Sequence, residues 1–449
     1  MQNEAYKPTV HRIVLSNFGP VKECEITLND MLVLSGPQAN GKSTIAKAIF
    51  FFRTIKEDIL DMMMLGTDGE IPERWRIRLT KRLKDKFMQL FGSSYGMSNA
   101  MKAVYYYTDK TYIQIDLSPN YHVSGGPNYI NVKFSRSIAQ YLNGLDKGNY
   151  DNMSRTQLEY EQQRLIKLFS DKYETIFIPA GRSIITLLTM QLNYIFTTMS
   201  ENQKRNIDYC TQKYVDLILR LRPSFSHGLA GALSDKLHLT QKDFNVTLVK
   251  KTEKLINEIL KGRYQNENGE ERLYLEDSNR QYVKINFASS GQQETVWITN
   301  ILFYYLLENK QVFLIVEEPE THLYPAAQKQ IAELLALFMK NGNCELITTH
   351  SPYILGEFNN LIYASEIYKQ GIQKVEKLID PDFYIDSVCM NAYHLGNGEL
   401  HNMKEESLGL IRNECIEGAS LDITDENDAL YEISSREEES NSAEPNQSK

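Results

Sequence analysis

The chain has 449 residues, 42% of them apolar, and a net charge of −9. This is enough apolar material for two or three compact units or one large core with an insertion, and the absence of any apolar run of about 18 residues excludes a membrane-spanning helix. Ile411–Lys449 holds eleven acids and three bases, −8 of the total −9, so the first 410 residues are nearly neutral and the acidity does not itself exclude a nucleic-acid partner.

Cys24, Cys210, Cys344, Cys389 and Cys415 are scattered, with no CxxC pair and no close histidine. That spacing predicts reduced thiols, neither a zinc site nor a disulfide framework. Met1–Val10 is polar and lacks the apolar stretch of a signal peptide. The expected location is the cytoplasm, with no membrane partner.

Along the chain, His11–Ser16, Glu25–Leu28 and Met31–Ser35 read as strands. The third runs directly into Gly36-Pro37-Gln38-Ala39-Asn40-Gly41-Lys42-Ser43-Thr44 and then into a helical stretch, Ser43–Lys56. Gly36–Ser43 match GxxxxGK[ST] at every position, and Thr44 follows. Glycines let backbone N–H groups turn inward around phosphate oxygens. Lys42 supplies a positive charge at the β- and γ-phosphates, and Ser43 offers its hydroxyl to Mg²⁺. The helix that follows adds its N-terminal dipole.

Glu73–Phe91 reads as a helix with Leu79, Leu83, Phe87 and Leu90 on one face. Arg74, Arg76, Arg78, Lys81, Arg82, Lys84 and Lys86 on the same helix read as a solvated face or as a DNA groove. Val104–Tyr107 and Tyr112–Leu117 read as a hairpin, Gln157–Phe169 as a helix and Thr175–Pro179 as a buried strand. The segment Ile178–Ser183 forms a tight turn. Its Arg182 is read either as a solvated side chain or as one that reaches phosphate or braces an insertion.

Ser183–Leu221 and Gln241–Leu260 are helical blocks without sustained heptads, so a long coiled-coil arm is not expected. Arg272–Leu275 and Tyr282–Phe287 read as strands. Ala288-Ser289-Ser290-Gly291-Gln292-Gln293-Glu294 leads into a helix beginning near Gln292. Its Ser and Gly suit an anion site or a plain helix cap at Ser290. Gln311–Val316 is a core strand that delivers Glu317 and Glu318 at its C-terminal end, where ligands bind in an open α/β sheet. Two adjacent carboxylates there imply a cation. Glu317 would hold Mg²⁺ and Glu318 would polarise the attacking water. Pro325–Lys340 is a helix and Cys344–Thr348 a second core strand, followed by Thr349-His350-Ser351-Pro352. His350 is placed to hydrogen-bond the γ-phosphate or Glu318. Leu361–Tyr363 reads as strand-like, and Asp380-Pro381-Asp382 as a charged turn. Ser434–Lys449 has almost no apolar side chain and is expected to be disordered.

The order phosphate loop, helical insertion, SSGQQ, apolar-EEPETHLYP, TTHSP resembles the ABC-type ATPases of the SMC/RecF and OLD group over roughly Val10–Leu355. The resemblance implies an α/β P-loop NTPase fold of the ABC/SMC-head type and ATP hydrolysis with ATP and Mg²⁺ as cofactors. It makes Gly36–Thr44 the Walker A loop, and Ser290, Gly291, Gln292 and Gln293 the signature. Glu317 and Glu318 become Walker B and the catalytic base, Pro319–Leu323 with His322 the D-loop, and His350 the switch histidine. Lys42, Glu318 and His350 are the expected catalytic residues, with Ser43 and Glu317 at the metal. A head-to-tail homodimer, or an assembly of dimers, is implied, with each ATP between Walker A of one copy and the signature of the other.

This sequence departs from the family in ending Walker B with Glu-Glu, and no Q-loop glutamine is evident. No strand ending in Glu-Gly follows His350, so no Toprim nuclease is read. A stand-alone ATPase of this kind resembles the ATPase subunits of anti-phage defence systems of the Septu, PARIS and retron-linked types. There it is a sensor and scaffold for a separate effector nuclease. The expected division is 1–150 for an N-terminal lobe, 151–265 for the helical insertion and 266–365 for a C-terminal lobe. Residues 366–433 would contact a partner, and 434–449 form the tail. A RecF-like DNA clamp and a non-hydrolysing nucleotide-gated module are the competing readings.

Overall fold

The computed structural model describes residues 11–64, 74–119, 128–148, 150, 153–186, 198, 208–238, 244–275, 280–412 and 424. The expected disordered tail, and residues 187–197 and 199–207 of the expected helical block Ser183–Leu221, lie outside them.

The fold is α/β, built on one 11-stranded sheet. Its strands are β1 (Arg12–Phe18), β2 (Val21–Thr27), β3 (Met31–Ser35), β4 (Lys102–Thr108), β5 (Thr111–Ser118), β6 (Tyr129–Phe134) and β7 (Glu174–Ile178) from the first half of the chain. A small separate sheet holds β8 (Arg263–Glu267), β9 (Glu270–Tyr274) and β10 (Tyr282–Lys284), and the main sheet is completed by β11 (Val312–Glu317), β12 (Cys344–Thr349), β13 (Met390–Gly396) and β14 (Glu399–Asn402). The order is β6-β5-β4-β1-β2-β14-β13-β3-β12-β11-β7. The β6 to β2 side is antiparallel, and β13, β3, β12, β11 and β7 run parallel.

Helices cover both faces. One face carries α1 (Lys42–Arg53), α2 (Ile55–Met64), α3 (Trp75–Phe91), α4 (Arg136–Leu145) and α5 (Arg155–Phe169). The other carries α6 (Tyr209–Leu221), α7 (Gly228–His238), α8 (Val246–Leu260), α9 (Ser290–Leu307), α10 (Pro325–Lys340) and α11 (Pro352–Lys369). The central strands therefore feed two cores alternately. Leu32 and Leu34 of β3 face the first core, and Met31 and Val33 the second. Burial on both sides explains why β3 and β11 read as unbroken apolar runs.

Several expected elements differ. Leu361–Tyr363 lies inside α11, not in a strand. Ser351 caps that helix, and Ile354, Leu355, Phe358, Leu361 and Ile362 repeat at helical spacing on its buried side. Residues 282–287 form a short strand and a single 3₁₀ turn. β6, β8, α7, β13 and β14 were not expected. The stretch 151–265, expected as a helical insertion, also contributes β7 to the main sheet, and 366–433 contributes β13 and β14. The row of cations on α3 is not one solvated face. Lys86 is buried against Asp58 at 2.5 Å, and Arg82 bridges Asp58 and Asp61 at 2.9 Å each. Asp380 caps one 3₁₀ turn, Pro381–Phe383, and Asp382 lies within it; Lys251 bridges the two. No helix among the described residues is long and apolar enough to cross a membrane.

Glu345 on β12 is fully buried, and neither carboxylate oxygen has a hydrogen-bond partner. Burial pushes its pKa well above the usual carboxylate range. The native state then holds a proton that the unfolded chain has released, so this residue's contribution to stability falls as pH rises above the unfolded value. Glu345→Leu should stabilise the fold by about 1–3 kcal/mol at neutral pH, and by less at pH 5. Thermal melts of both proteins across pH check this; an equal gain at every pH would contradict it.

Candidate functional site

The site forms where the parallel strands end. β3 pairs with β12 from Glu345↔Met31 to Thr349↔Ser35, and β12 pairs with β11 up to Thr348↔Glu317. This register brings Gly36, Glu317, Glu318 and His350 to one edge of the sheet. The loop between β3 and α1 has left-handed backbone at Gly36 (φ 138°), Ala39 (φ 63°) and Gly41 (φ 106°). Such alternation turns consecutive N–H groups toward one point, the geometry of an anion nest. Two glycines are also required by space. A Cβ on Gly36 would lie 2.3 Å from the Leu395 carbonyl oxygen on β13, and one on Gly41 would lie 2.6 Å from Val21 Cγ2.

Lys42, the first residue of α1, is buried. Its Nζ donates to the Gly36 carbonyl at 2.7 Å and the Pro37 carbonyl at 3.0 Å, and lies 3.1 Å from His350 Nε2. Burial lowers its pKa, against the pull of Glu318, Glu320 and Glu317. His350 Nε2 also sits 2.7 Å from Glu318 Oε1. One ring nitrogen thus faces a cation and a carboxylate. It donates to Glu318 when protonated and accepts from Lys42 when not.

Glu318 has a left-handed backbone (φ 44°), and its N–H donates to the Thr348 carbonyl at 2.9 Å. Glu320 fixes the histidine loop. Its Oε1 accepts from Thr349 Oγ1 at 2.7 Å, His350 N at 2.7 Å and Ser351 N at 3.1 Å. Glu317 is buried and Oε1 lacks a partner, while Oε2 accepts from Ala180 N at 3.3 Å. Burial raises its pKa, offset by a hydrogen bond from Ser43. A hydroxyl beside a buried carboxylate with a spare oxygen fits a divalent cation. Among the described residues no cluster of three His, Cys, Asp or Glu holds a metal alone. Phosphate and water oxygens would therefore supply most ligands, as Mg²⁺ prefers.

Ser290, Gly291 and Gln292 stand apart from this cluster. No hydrogen bond or ion pair among the described residues joins them to Gly36–Thr44. Ser290 is exposed on the first turn of α9, whose cap is Ser289 and not Ser290. The Gln292 amide is engaged within the chain, completing a capping box with Ser289 and donating to the Leu260 carbonyl at 2.7 Å. Gly291 packs against the segment that holds His322 and Leu323, where a Cβ would come within 2.7 Å of the His322 carbonyl oxygen.

Of the two readings of Arg182, the solvated one is excluded, since the side chain is fully buried. Two further features carry no reading in the sequence. Lys47 on α1 pairs with Asp208 at 2.6 Å. The hairpin β13–β14 forms one wall of the loop through Leu395. Only the alternation of Met390, Ala392 and, after a break, Leu395 signals that hairpin.

A glycine loop between a buried parallel strand and a helix, with acids on the next strands, defines a P-loop nucleoside triphosphatase. The chain belongs to the AAA ATPase domain family, whose pattern matches residues 9–355. It is an ATPase. No match is found among curated proteins. Similar solved structures include an SMC head bound to the C-winged helix domain of ScpA, at 11% identity and TM-score 0.41, covering 89% of this chain and 98% of that one. The SMC head domain from Thermotoga maritima is 12% identical with TM-score 0.35, covering 88% and 100%. An Smc head with an extended coiled coil, bound to the C-terminal domain of ScpA derived from Pyrococcus furiosus, is 11% identical with TM-score 0.37, covering 87% and 95%.

Gly36→Ala should abolish tight nucleotide binding, because the new methyl meets the Leu395 carbonyl and the backbone is strained by about 1–3 kcal/mol. Titration with a fluorescent ATP analogue and a thermal melt measure this; wild-type affinity would contradict it.

Proposed function

We propose that this chain is a dimeric ATP-hydrolysing switch whose nucleotide cycle controls a separate effector, a nuclease, in anti-phage defence. The observation that carries the hydrolytic part is the chain of contacts Lys42–His350–Glu318 at the ends of β3, β12 and β11. In this reading Gly36–Thr44 cradles the triphosphate. Lys42 leaves its loop carbonyls for the β- and γ-phosphates. Ser43 and Glu317 hold Mg²⁺, which when bound neutralises charge on the phosphate oxygens. Glu318 accepts the proton of the attacking water, and His350 holds the carboxylate in line and senses the γ-phosphate.

Ser290, Gly291 and Gln292 read the phosphates of ATP on a second copy. Their separation from the loop within one chain supports that assignment. So does the exposed N-terminus of α9, a ready anion site. Control of an effector rests on the resemblance of motif order to defence ATPases. The alternative, a RecF- or SMC-like DNA clamp, loses support because Arg82 and Lys86 of the basic helix are committed to Asp58 and Asp61. A cytoplasmic setting is part of the proposal.

Glu318→Gln should cut kcat at least about 100-fold while ATP binding persists, and should trap an ATP-dependent dimer. Steady-state ATPase assays and light scattering with and without ATP are the measurements. Unaltered turnover would overturn the assigned base, and a monomer at saturating ATP would overturn the shared site. For the defence role, phage plating on cells carrying the chain with its adjoining genes should lose protection on Lys42→Ala; equal plating would reject it.

A further inference from the structure

Arg182 is a charge with no access to water. A buried guanidinium is tolerated only when its donors are matched. Here the matches come from three separate pieces of chain. Nη1 donates to the Pro179 carbonyl at 2.7 Å, at the end of β7, and to the Glu317 carbonyl at 2.6 Å. Nη2 donates to the Glu318 carbonyl at 2.9 Å. Nε donates to the Glu294 carbonyl at 3.0 Å and lies 3.3 Å from Glu294 Oε2 on α9.

Glu294 answers from the other side. Its carboxylate, also buried, accepts from Arg182 N at 2.9 Å and Ser183 N at 3.0 Å. His322 Nδ1 lies 3.9 Å from it. Glu294 sits one turn inside α9 from Ser290 and Gly291. One ion pair therefore ties the start of α9, the D-loop and the two peptide carbonyls that follow the β11 run.

The Glu318 peptide is where such a tie matters. Its left-handed backbone is unfavourable for a residue with a side chain and persists only if neighbours fix it. Arg182 and Thr321 hold its carbonyl, and Thr348 receives its N–H. That backbone aims the carboxylate at His350. We propose that Arg182 is a positioning residue for ATP hydrolysis. Through Glu294 it links the placement of the α9 N-terminus to the aim of Glu318, so that seating α9 on a second copy's nucleotide sets the base in this one. The proposal rests on the assignment of Glu318 as base and of Ser290–Gln292 as the element completing a neighbour's site.

The test uses the full chain with Arg182→Lys, Glu294→Gln and both together. An ammonium cannot reproduce the planar fork that reaches four carbonyls at once. R182K should melt cooperatively and keep ATP affinity within about threefold, while kcat falls at least about tenfold. The double variant should be no slower than the slower single one, since both remove the same link. Full turnover in folded R182K, additive losses, or equal losses of affinity and kcat would each overturn the positioning role. If R182K does not fold, E294Q alone decides, because it lacks the counter-charge to Arg182 and its single amide oxygen can take the place of only one of the two carboxylate acceptors; unchanged kcat in folded E294Q then overturns the proposal. E318Q separates the two levels. Lost turnover in E318Q with full turnover in R182K removes only the positioning role, whereas full turnover in E318Q removes the assignment beneath it.

Discussion

β3 is the strand on which the site hangs. It lies between two parallel neighbours, β12 and β13, and is buried on both faces. Neither its edges nor its faces meet water, so polar chemistry can only leave it at its C-terminal end. Parallel pairing then puts the ends of β12 and β11 at the same level. Ser35 opposite both Thr349 and His394 fixes the height of the glycine loop relative to its walls. A one-residue slip would exchange the two cores' side chains along β3, and the loss of both packings enforces the register.

The same constraint explains where the buried charges stand. Peptide groups at strand ends have lost their sheet partners and must find others. The Glu317 and Glu318 carbonyls find Arg182, and the His350 and Ser351 N–H groups find Glu320. Neither ion centre is a surface ornament; each satisfies backbone that the fold itself exposes. A second network sits beyond the other end of α1, where Arg53 and Lys56 meet Asp171 at 2.8 and 2.9 Å. There Arg53 also favours the helix C-terminus. Buried beside these cations, His11 has its pKa lowered to about 4, so its imidazole stays neutral through the neutral range.

Legibility in the sequence followed the range of the interactions. The glycine loop and the apolar runs of β3, β11 and β12 were readable because strand, turn and helix signals there are contiguous. The α/β class and the order of motifs followed from them. The hairpin β13–β14 was not readable. Its pairing is with segments at the opposite end of the chain, as in Asn391 bonding the Thr27 carbonyl 364 positions away, and its own pattern is only half apolar. β6, on the sheet's edge, has the same weak pattern. Arg182 illustrates a different limit. A single arginine after a glycine looks alike whether solvated or buried, and its acceptors are carbonyls, which every residue carries. The basic helix misled for the converse reason, since the acids that neutralise Arg82 and Lys86 lie on α2.

The site is a collection of unfavourable placements. Lys42 is a cation at the positive end of a helix dipole, and burial already works against its charge. Ala39 and Glu318 hold backbone conformations that other residues avoid. Glu317 buries a carboxylate with an oxygen unserved. These costs are not independent. An anion at the loop resolves Lys42 and the nest of N–H groups together, and a cation between that anion and Ser43 resolves Glu317. A polyanion that brings its own cation meets both needs, and neither component does so alone. In the reading proposed above, a metal-chelated triphosphate meets these needs better than free phosphate or free metal would.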